Sequence, residues 1–375
     1  MLLEWLQLRD FRNIAEASLR FSPGLNLITG DNGQGKSNLL EAVGLLATGR
    51  SFRKSPAAQL RRWQQPWFRV TGEVRSAGGC RSLDVVGEPG RQIFRLDGKP
   101  MESVSRMERV LVAVIITPET PLLVRGGPGE RRAFLDWVIF CADRRHGEES
   151  RGYQLALRAR LRLLKDFGRD DRELDAWEAQ LAHLGARIAG RRHRAVAHLA
   201  RMLPPLLEGL GLAPERYTMA LAGDLAGDLA QGASLESVAA RLRLELARSR
   251  ERDRLTGTTG AGPHRDELDL KMSGHPVSRF GSRGQQKRFA FALKLAEAGW
   301  LQELLGDSPV MVLDDPVAEL DREGAKGLMK LISGQGRQVF VAAREAGEIP
   351  WPDGGSVEHP VVAGVFQVST EQGNS

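Results

Sequence analysis

The first 116 residues alternate between apolar and polar positions in short runs, a pattern that predicts strands. The runs end at pairs such as Pro23-Gly24, Gly78-Gly79 and Asp97-Gly98, which are typical of turns. The predicted strands cover residues 2–8, 15–21, 26–29, 68–74, 82–86, 93–96 and 110–116. We expect the strands between 68 and 116 to form a meandering sheet.

Helical spacing begins near residue 118 and ends near residue 257. We predict a helix that begins at Pro128 and two amphipathic helices over 153–167 and 174–202, joined around 168–171 and stopped by Pro204-Pro205. Helices are also predicted over 38–48 and 285–305, strands over 266–271, 309–313, 339–342 and 360–368, and a frayed tail over 371–375. The chain is therefore predicted to be an α/β domain, 1–115 and 256–375, with an inserted, mainly helical lobe over 116–255.

Composition and charge add a weak preference for partners. Lysine and arginine number 53 against 47 acidic residues, and the net charge of +6 suggests a polyanionic partner. Cys80 and Cys141 lack the spacing of a zinc site or a disulfide framework. The sequence begins without the pattern of a signal peptide, and no apolar run approaches the ~18 residues of a membrane helix. We therefore expect a soluble, cytoplasmic protein with no membrane association.

A phosphate-binding loop is predicted between the strand at 26–29 and the helix at 38–48. The spacing G-x-x-x-x-G-K-[ST] is met by Gly30, Asp31, Asn32, Gly33, Gln34, Gly35, Lys36 and Ser37. Glycines let backbone N–H groups approach phosphate oxygens, and the start of the following helix favours an anion. Lys36 would bind the outer phosphates and Ser37 would hold Mg²⁺, so the loop predicts an ATP site.

A second half of this site is predicted after the apolar strand that ends near residue 313. Asp314 and Asp315 follow that strand directly. Magnesium–phosphate chemistry requires carboxylates at such a position. We expect Asp314 to hold the metal and Asp315 to orient, or to deprotonate, the attacking water.

A short polar turn before the helix at 285–305 forms a second candidate anion site. It contains Ser282, Arg283, Gly284 and Gln285. One chain needs only one phosphate cradle for one triphosphate, whereas two chains arranged head to tail would use both. An ordinary helix cap by Ser282 is the alternative interpretation.

The segment after the phosphate-loop helix concentrates positive charge. From Gly49 to Arg62 the sequence has basic residues and no acidic residue. We single out Arg50, Arg53, Arg61 and Arg62 as candidate DNA contacts, with solvated or ion-paired side chains as the alternative. The sequence shows no recognition helix, so binding selective for DNA structure rather than base sequence is expected.

These three motifs, in this order, resemble those of the ATP-binding-cassette ATPases, and the sequence between them resembles the RecF family of bacterial recombination-repair ATPases. The stretches that carry the resemblance are Phe11-Arg12-Asn13, Asn38-Leu39-Leu40-Glu41-Ala42, Thr48-Gly49-Arg50-Ser51, Pro118-Glu119, Gly126-Gly127-Pro128, Glu130-Arg131-Arg132, Phe134-Leu135-Asp136, Gly262-Pro263-His264-Arg265-Asp266, Ser282-Arg283-Gly284-Gln285-Gln286-Lys287 and Glu319-Leu320-Asp321.

The resemblance implies an ABC/SMC-type ATPase head with an inserted helical lobe, ATP and Mg²⁺ as ligands, and an ATP-dependent homodimer. Arg12 and Asn13 would join the nucleotide site, residues 282–285 would act on the partner's ATP, and Asp321 would lie at the dimer seam. The implied partners are single-stranded, gapped and duplex DNA, RecR and RecO, with a functional link to RecA. The implied activity is a weak, DNA-stimulated ATPase that acts as a switch.

Three positions depart from the pattern that the resemblance implies. Gly281 stands where an apolar residue is usual, and we expect it to loosen the packing of the turn. Asp315 replaces the glutamate of many cassette ATPases, so we expect slow hydrolysis because its carboxylate is one methylene shorter. Residues 341–344 read Val-Ala-Ala-Arg, without the His or Thr that often senses the γ-phosphate, and this leaves the sensor unassigned.

Three alternatives remain open at this stage. A chromosome-structure ATPase head would need long coiled-coil arms, but the predicted helical pair spans only 151–202. A transporter cassette subunit would not explain the basic segment, and a small-molecule kinase would not explain the turn at 282–285. An assay of DNA binding with and without ATP would distinguish a RecF-like ATPase from a transporter cassette subunit, for which ATP should cause no shift.

Overall fold

A computed structural model of the chain describes residues 1–101, 110–165, 171–318, 320–334, 336–352, 356–367 and 370–372. It divides into two units. Unit 1 comprises Met1–Pro121, Pro205–Leu212 and Lys287–Ser375, and unit 2 comprises Leu122–Pro204 and Ala213–Gln286. The three-part division predicted from the sequence stays a prediction, and the structure assigns residues 256–286 to unit 2.

The strands and helices are numbered along the chain. The strands are β1 Leu2–Phe11, β2 Ile14–Arg20, β3 Leu25–Thr29, β4 Phe68–Ser76, β5 Gly79–Glu88, β6 Arg91–Leu96, β7 Lys99–Pro100, β8 Ala113–Ile116, β9 Tyr217–Ala222, β10 Glu267–Met272, β11 His275–Pro276, β12 Val310–Asp314, β13 Val339–Ala343, β14 Ser356–Val362, β15 Val365–Phe366 and β16 Thr370–Gln372. The α-helices are α1 Lys36–Thr48, α2 Ala57–Leu60, α3 Leu122–Arg125, α4 Pro128–Ala142, α5 Arg145–Lys165, α6 Asp171–Gly209, α7 Ala226–Ala230, α8 Leu235–Arg248, α9 Arg250–Thr256, α10 Val277–Phe280, α11 Arg283–Leu305 and α12 Arg322–Ser333, and short 3₁₀ turns cover Pro214–Arg216, Pro263–Arg265 and Ala346–Glu348.

Unit 1 contains two sheets. The antiparallel sheet has the order β2-β1-β4-β5-β6-β7. The second sheet has the order β15-β14-β3-β13-β12-β8, and its strands from β14 to β8 are parallel. Every residue of β3, β12 and β13 is buried, as expected for parallel strands covered on both faces.

Helix α1 packs against strands of both sheets. Nine consecutive residues, 39–47, are buried. A helix buried all round is apolar on nearly every face, and the one charged residue in this run, Glu41, is paired with Arg12. The position of α1 brings residues 36 and 37, at its start, to the carboxyl ends of the parallel strands, where ligands bind in open α/β sheets.

Unit 2 combines helices with a small antiparallel sheet of order β11-β10-β9. Its apolar core is built from α5, α6 and α8 and includes Leu181, Val238 and Leu242. Arg160 is fully buried in this unit and donates hydrogen bonds to Glu178, Asp253 and Thr259. These partners satisfy the guanidinium, as a buried charge requires.

The predicted stop at Pro204-Pro205 is wrong, because α6 continues to Gly209. Two prolines remove two backbone donors from a helix. However, Leu199, Leu203 and Leu207 recur every four residues and are 0 %, 5 % and 1 % exposed. Burial of this continuous apolar face offsets the missing hydrogen bonds.

Several predicted elements differ in position or partner. The strand predicted at 110–116 is β8, which pairs in parallel with β12 and is not part of the meander. The strand predicted at 360–368 begins earlier, at Ser356, and turns back after Val362 into β15. Strand β9 was not predicted within the helical segment, and residues 370–372 of the expected tail region pair with β14. The predicted junction at 168–171 lies largely outside the described residues, as do residues 368 and 373–375.

Candidate nucleotide-binding site

The phosphate loop connects β3 to α1, as predicted. Gly30 has φ +144, and a Cβ there would lie 2.4 Å from the carbonyl oxygen of Val361, so a side chain is excluded on both conformational and steric grounds. The Gly30 N–H donates to the carbonyl of Arg344 at 3.2 Å. Neighbouring β13 and β14 therefore fix the start of the loop.

Gln34 and Asn13 hold the outer side of the loop. The Gln34 carbonyl accepts from Asn13 Nδ2 at 3.1 Å and from the Gly364 N–H at 2.8 Å. Asn38 Nδ2 donates to Asn13 Oδ1 at 2.8 Å. Asn13 thus braces the loop from behind, while the nucleotide contact predicted for it stays a prediction.

Ser37 and Asp314 meet beneath the loop. Ser37 Oγ donates to Asp314 Oδ1 at 2.6 Å. Both are hard oxygen ligands of the kind that Mg²⁺ prefers, and Mg²⁺ is usually held by one or two carboxylates together with substrate phosphates. The pair therefore fits the predicted magnesium site, and no group of three or more metal-ligating side chains occurs elsewhere in the described ranges.

The two aspartates at the end of β12, Asp314 within the strand and Asp315 directly after it, differ in environment. Asp314 is 8 % exposed, and burial raises the pKa of its carboxyl, although Ser37 and Arg53 act in the opposite direction. Asp315 is exposed and has a positive φ of 50°. Aspartate tolerates this left-handed conformation better than most residues.

A cavity of about 460 Å³ lies beside these residues. Its lining includes Lys36, Ser37, Arg53, Asp314, Asp315 and Arg344. Lys36 Nζ donates to the backbone carbonyls of Gly30 and Asp31, the latter at 2.9 Å. Glu348 also lines the cavity, which therefore brings together three cations and three carboxylates. Cations that can bind phosphate oxygens and carboxylates that can hold a metal suit a metal-bound polyphosphate.

Arg53 and Arg344 are cavity residues that sequence analysis did not assign there. Arg53 Nη2 lies 3.9 Å from Asp314 Oδ2, although Arg53 was predicted as a DNA contact, which stays a prediction. Arg344 follows β13, and its Nε lies 3.5 Å from Asp31 Oδ1. Arg344 directly follows an apolar strand, and Asp314 lies at the end of another. This shared position in the sequence could have indicated that Arg344 belongs to the site.

Arg12 is bound to α1. Its guanidinium donates to both carboxylate oxygens of Glu41 at 2.8 and 2.7 Å, and to the Ser55 hydroxyl at 2.7 Å. A further hydrogen bond reaches the Gln59 carbonyl at 2.9 Å. Arg12 therefore connects the phosphate-loop helix to residues 55–59, and its predicted contact with nucleotide stays a prediction.

The turn before α11 is a reciprocal helix cap. The Gln285 N–H donates to Ser282 Oγ at 3.2 Å, and the Ser282 N–H donates to Gln285 Oε1 at 2.8 Å, which is a capping box. Ser282 and Arg283 are exposed, and Gly284 lies at the first turn of the helix. The cap and an anion site are compatible, because the Ser282 side chain binds the helix inward while the helix start faces solvent.

Gly281 tightens this turn, contrary to the expectation that it would loosen the packing. A Cβ on Gly281 would lie 2.8 Å from the Val277 carbonyl oxygen. The Gln286 side chain fills the resulting space and donates to the carbonyls of Val277, Ser278 and Gly281 at 2.9–3.2 Å. The glycine allows this close approach.

Asp321 caps α12. Its Oδ1 accepts from the Gly324 N–H at 2.9 Å, and its Oδ2 pairs with Arg288 Nη2 at 2.5 Å. The hydrogen bond from Gly324 lowers the pKa of Asp321 below its ordinary value. The side chain stays 60 % exposed. A seam contact is sterically open to it and stays a prediction, and the neighbouring Glu319 of the same motif lies outside the described residues.

The remaining DNA candidates lie on the surface of unit 1. Arg50 is exposed. Arg61 Nη1 donates to the Pro66 carbonyl at 3.0 Å, and Arg62 Nη1 lies 3.4 Å from Asp10 Oδ1. These contacts hold Arg61 and Arg62 in place but leave guanidinium donors for other ligands, since each carries five N–H groups.

Two motifs on which the resemblance rests meet within unit 2. Arg131 forms an ion pair with Glu267, and Arg132 Nη1 donates to the Asp266 carbonyl at 2.9 Å. His264 binds the Tyr153 hydroxyl at 2.7 Å and the Thr259 carbonyl at 2.9 Å through its two ring nitrogens. Both ring nitrogens of His264 are therefore bound within unit 2, and the anchoring role expected for it stays a prediction.

Comparison with known proteins agrees with this arrangement. The family described as RecF/RecN/SMC N terminal domain matches residues 2–349. The DNA replication and repair protein RecF of Magnetococcus marinus is 50 % identical and covers 99 % of this chain and 98 % of its own. RecF of Thioalkalivibrio sulfidiphilus is 37 % identical over 93 % of this chain and 94 % of its own.

Solved structures show the same fold. The recombination mediator protein RecF-ATPrS of the RecFOR pathway matches with a TM-score of 0.88 at 29 % identity, covering 98 % of this chain and 97 % of its own. An SMC head bound to the C-winged helix domain of ScpA matches with a TM-score of 0.57 at 16 % identity, covering 99 % and 98 %, a likeness of fold alone. The predicted ABC/SMC-type head is confirmed, and no helix in the described ranges is long and apolar enough to cross a membrane. The chain belongs to the RecF family.

Proposed function

We propose that the chain is an ATP-dependent DNA-binding clamp that acts in recombinational repair and replication-fork maintenance. The observation that carries the proposal is the 2.6 Å hydrogen bond between Ser37 and Asp314 beneath the phosphate loop. The hydrogen bond joins a hydroxyl and a carboxylate that are far apart in the sequence. Both residues line the same cavity as Lys36. The names of the relatives, which include DNA replication and repair proteins and an ATP-bound structure, support the same reading.

The residues around the cavity have different roles in ATP hydrolysis. Lys36 and the loop N–H groups bind phosphate oxygens, and Ser37 and Asp314 hold Mg²⁺. When bound, Mg²⁺ neutralises charge that develops on the phosphates. Asp315 orients the attacking water and accepts its proton. The short side chain of Asp315 places the carboxylate farther from the water than a glutamate would, so hydrolysis is slow, and DNA stimulates it.

Dimerisation follows from the turn before α11. Ser282 and Arg283 are exposed, and the Ser282–Gln285 cap leaves the helix start open to an anion. Two chains arranged head to tail would place each turn, Ser282 to Gln285, over the ATP held by the other chain, with Asp321 at the seam. ATP binding would favour the dimer, and hydrolysis would remove the contact that joins the chains.

The DNA, which would be single-stranded, gapped or duplex, would lie across the basic surfaces that closure of the dimer brings together. With RecR and RecO, the clamp would promote RecA loading at single-strand gaps in the cytoplasm. The name of the pathway attached to the solved relative supports this assignment. A DNA mobility assay with and without ATP tests it against a transporter cassette subunit, for which ATP should cause no shift.

Sedimentation velocity tests the clamp directly. We expect the wild type to be a dimer with ATP and a monomer without it, and Lys36→Met and Ser282→Arg to stay monomeric. Ser282→Arg should still bind ATP, because the altered turn acts on the partner's nucleotide. Gln231→Arg is the matched control, since Gln231 is also exposed in unit 2, and it should dimerise normally. A wild-type dimer that forms equally without nucleotide would overturn the switch.

A further inference from the structure

Trp63 is the starting point because its side chain is 85 % exposed. It lies in a turn between α2 and β4, next to Arg61 and Arg62. Tryptophan is normally highly buried, since its large apolar surface is costly to hydrate. An indole presented to solvent is therefore a candidate contact.

The turn is held in one conformation by its backbone. Gln64 has φ 63°, the Gln65 N–H donates to the Arg62 carbonyl at 3.0 Å, and Arg61 Nη1 binds the Pro66 carbonyl. The Arg62 N–H donates to the Asp10 carbonyl at 2.8 Å, which attaches the turn to β1. These bonds fix the backbone that carries the indole, so little conformational entropy is lost when a ligand binds it.

The surroundings of Trp63 are basic and polar. From Gly49 to Gly72 the sequence contains no acidic residue. Acidic side chains from other segments that contact this stretch are paired with arginines: Asp10 lies 3.4 Å from Arg62, and Asp84 pairs with Arg69 and Arg95. The surface therefore favours a polyanion.

The rim around Trp63 lacks the apolar composition of a protein interface. Arg62, Gln64 and Pro66 around Trp63 are exposed, and most of this rim is polar. A protein interface needs a larger apolar centre. A single aromatic face beside arginines is instead the arrangement by which proteins bind unpaired bases, with the ring on the base and the cations on the phosphates.

We infer that the turn carrying Trp63 binds single-stranded DNA, with the indole stacked on an unpaired base and with Arg62 on the adjacent phosphate. This inference rests on the proposed DNA clamp and assigns to it the side chain that contacts unpaired bases. In a duplex the base faces are covered by their neighbours, so Trp63 would contribute little there.

The test compares Trp63→Ala and Trp63→Phe with the wild type, using the full chain with ATP. Affinity is measured for an oligothymidylate, for the same strand carrying abasic sites, and for a blunt duplex. We expect Trp63→Ala to weaken binding to the oligothymidylate by about 5-fold or more, and Trp63→Phe to weaken it less. Duplex binding should be unchanged, and on the abasic strand the wild type should bind no better than Trp63→Ala.

The control is Leu255→Ala, because Leu255 is an equally exposed apolar side chain, at 88 %, and it should bind all three DNAs like the wild type. Equal affinity of Trp63→Ala and wild type for the oligothymidylate would overturn the inference while leaving the clamp intact. An equal loss on the duplex would overturn it too, since stacking on unpaired bases cannot cause that. If the wild type bound none of the DNAs, the proposed function itself would fail.

Discussion

Arg12 and Glu41 form a two-point ion pair in which the carboxylate is fully buried and the guanidinium is 17 % exposed. Glu41 lies in α1, the helix that follows the phosphate loop, and Arg12 lies in the turn between β1 and β2. Ser51 also donates to Glu41. The pair therefore attaches the nucleotide-site helix to the antiparallel sheet and to the basic segment.

Replacing Arg12 with methionine should destabilise the protein strongly. The change leaves the Glu41 charge buried without its main partner, which costs about 3–5 kcal/mol in comparable pairs. Urea denaturation followed by circular dichroism measures the free energy of unfolding. Arg75→Met, which breaks the exposed pair of Arg75 with Glu4, is the control and should cause little change. A similarly small loss for Arg12→Met would show that the pair does not fasten α1.

Asp315→Asn should slow ATP hydrolysis while leaving the ATP-dependent dimer intact. Asparagine suits the positive φ of residue 315 but cannot accept a proton, and general-base catalysis is typically worth about 10²–10⁴-fold. Asp315→Glu should raise the rate. Single-turnover hydrolysis and sedimentation measure the two effects, with Glu345→Gln, an exposed neighbour of the cavity, as the control. Hydrolysis by Asp315→Asn at the wild-type rate would exclude Asp315 as the base.

Gly281→Ala should abolish the dimer but leave ATP affinity unchanged. The added Cβ would meet the Val277 carbonyl at 2.8 Å and displace the Gln286 side chain that orders the turn. The control is Gly129→Ala, because a Cβ at Gly129 meets nothing within 4 Å. Sedimentation with ATP and equilibrium nucleotide binding separate the two properties. A normal dimer would mean that the turn tolerates the shift.

Asp266 should make the stability of unit 2 sensitive to pH. Burial raises the pKa of Asp266 to about 6, although Arg192 opposes the shift. For Asp136, burial also acts to raise the pKa, but hydrogen bonds from His146 and Arg192 outweigh it and lower the pKa to about 2. Since the folded protein binds a proton at Asp266 more tightly than the unfolded chain does, its contribution to stability grows as pH falls from 7 to 4. The gain is about 3 kcal/mol for a shift of roughly two units.

The comparison of wild type with Asp266→Asn isolates this contribution, because other groups titrate over the same range. His264 and His359 have pKa values lowered by burial, and their protonation destabilises the fold as pH falls. Their effects cancel in the difference between the two proteins. Thermal or urea unfolding at several pH values should show the wild type gaining on the variant toward pH 4, and a difference independent of pH would contradict the assignment.

The sequence predicted the parts of the site that follow directly from strands. The phosphate loop, the strand before it and the strand that carries Asp314 are local patterns, and the pairing of Ser37 with Asp314 follows once both strands lie in one parallel sheet. Arg53 was missed as a cavity residue because loop geometry, rather than periodicity, determines its position. Arg344 was missed although it directly follows the apolar strand β13. The sheet to which β8 belongs was also mispredicted, since four apolar residues fit either sheet.

Other errors arose where tertiary packing outweighed a local preference. Pro204 and Pro205 normally end a helix, but the buried leucine face of α6 carries it beyond them. Gly281 suggested looser packing because an apolar residue is usual at this position, whereas here the absence of a side chain makes room for the amide of Gln286. Local sequence preferences predict neither the burial of the leucine face of α6 nor the position of the Gln286 amide.

The burial of β3, β12 and β13 limits the substitutions by which the rate of ATP hydrolysis could change. All fifteen of their residues are buried, and Asp314 is the most exposed of them at 8 %. Substitution within close-packed strands changes volume at a cost in stability. Variation that alters turnover without damaging the scaffold is therefore confined to the first residue beyond each strand. Those residues are Gly30, Asp315 and Arg344, and a side chain is excluded at Gly30, so adaptation of the catalytic rate is left with Asp315 and Arg344.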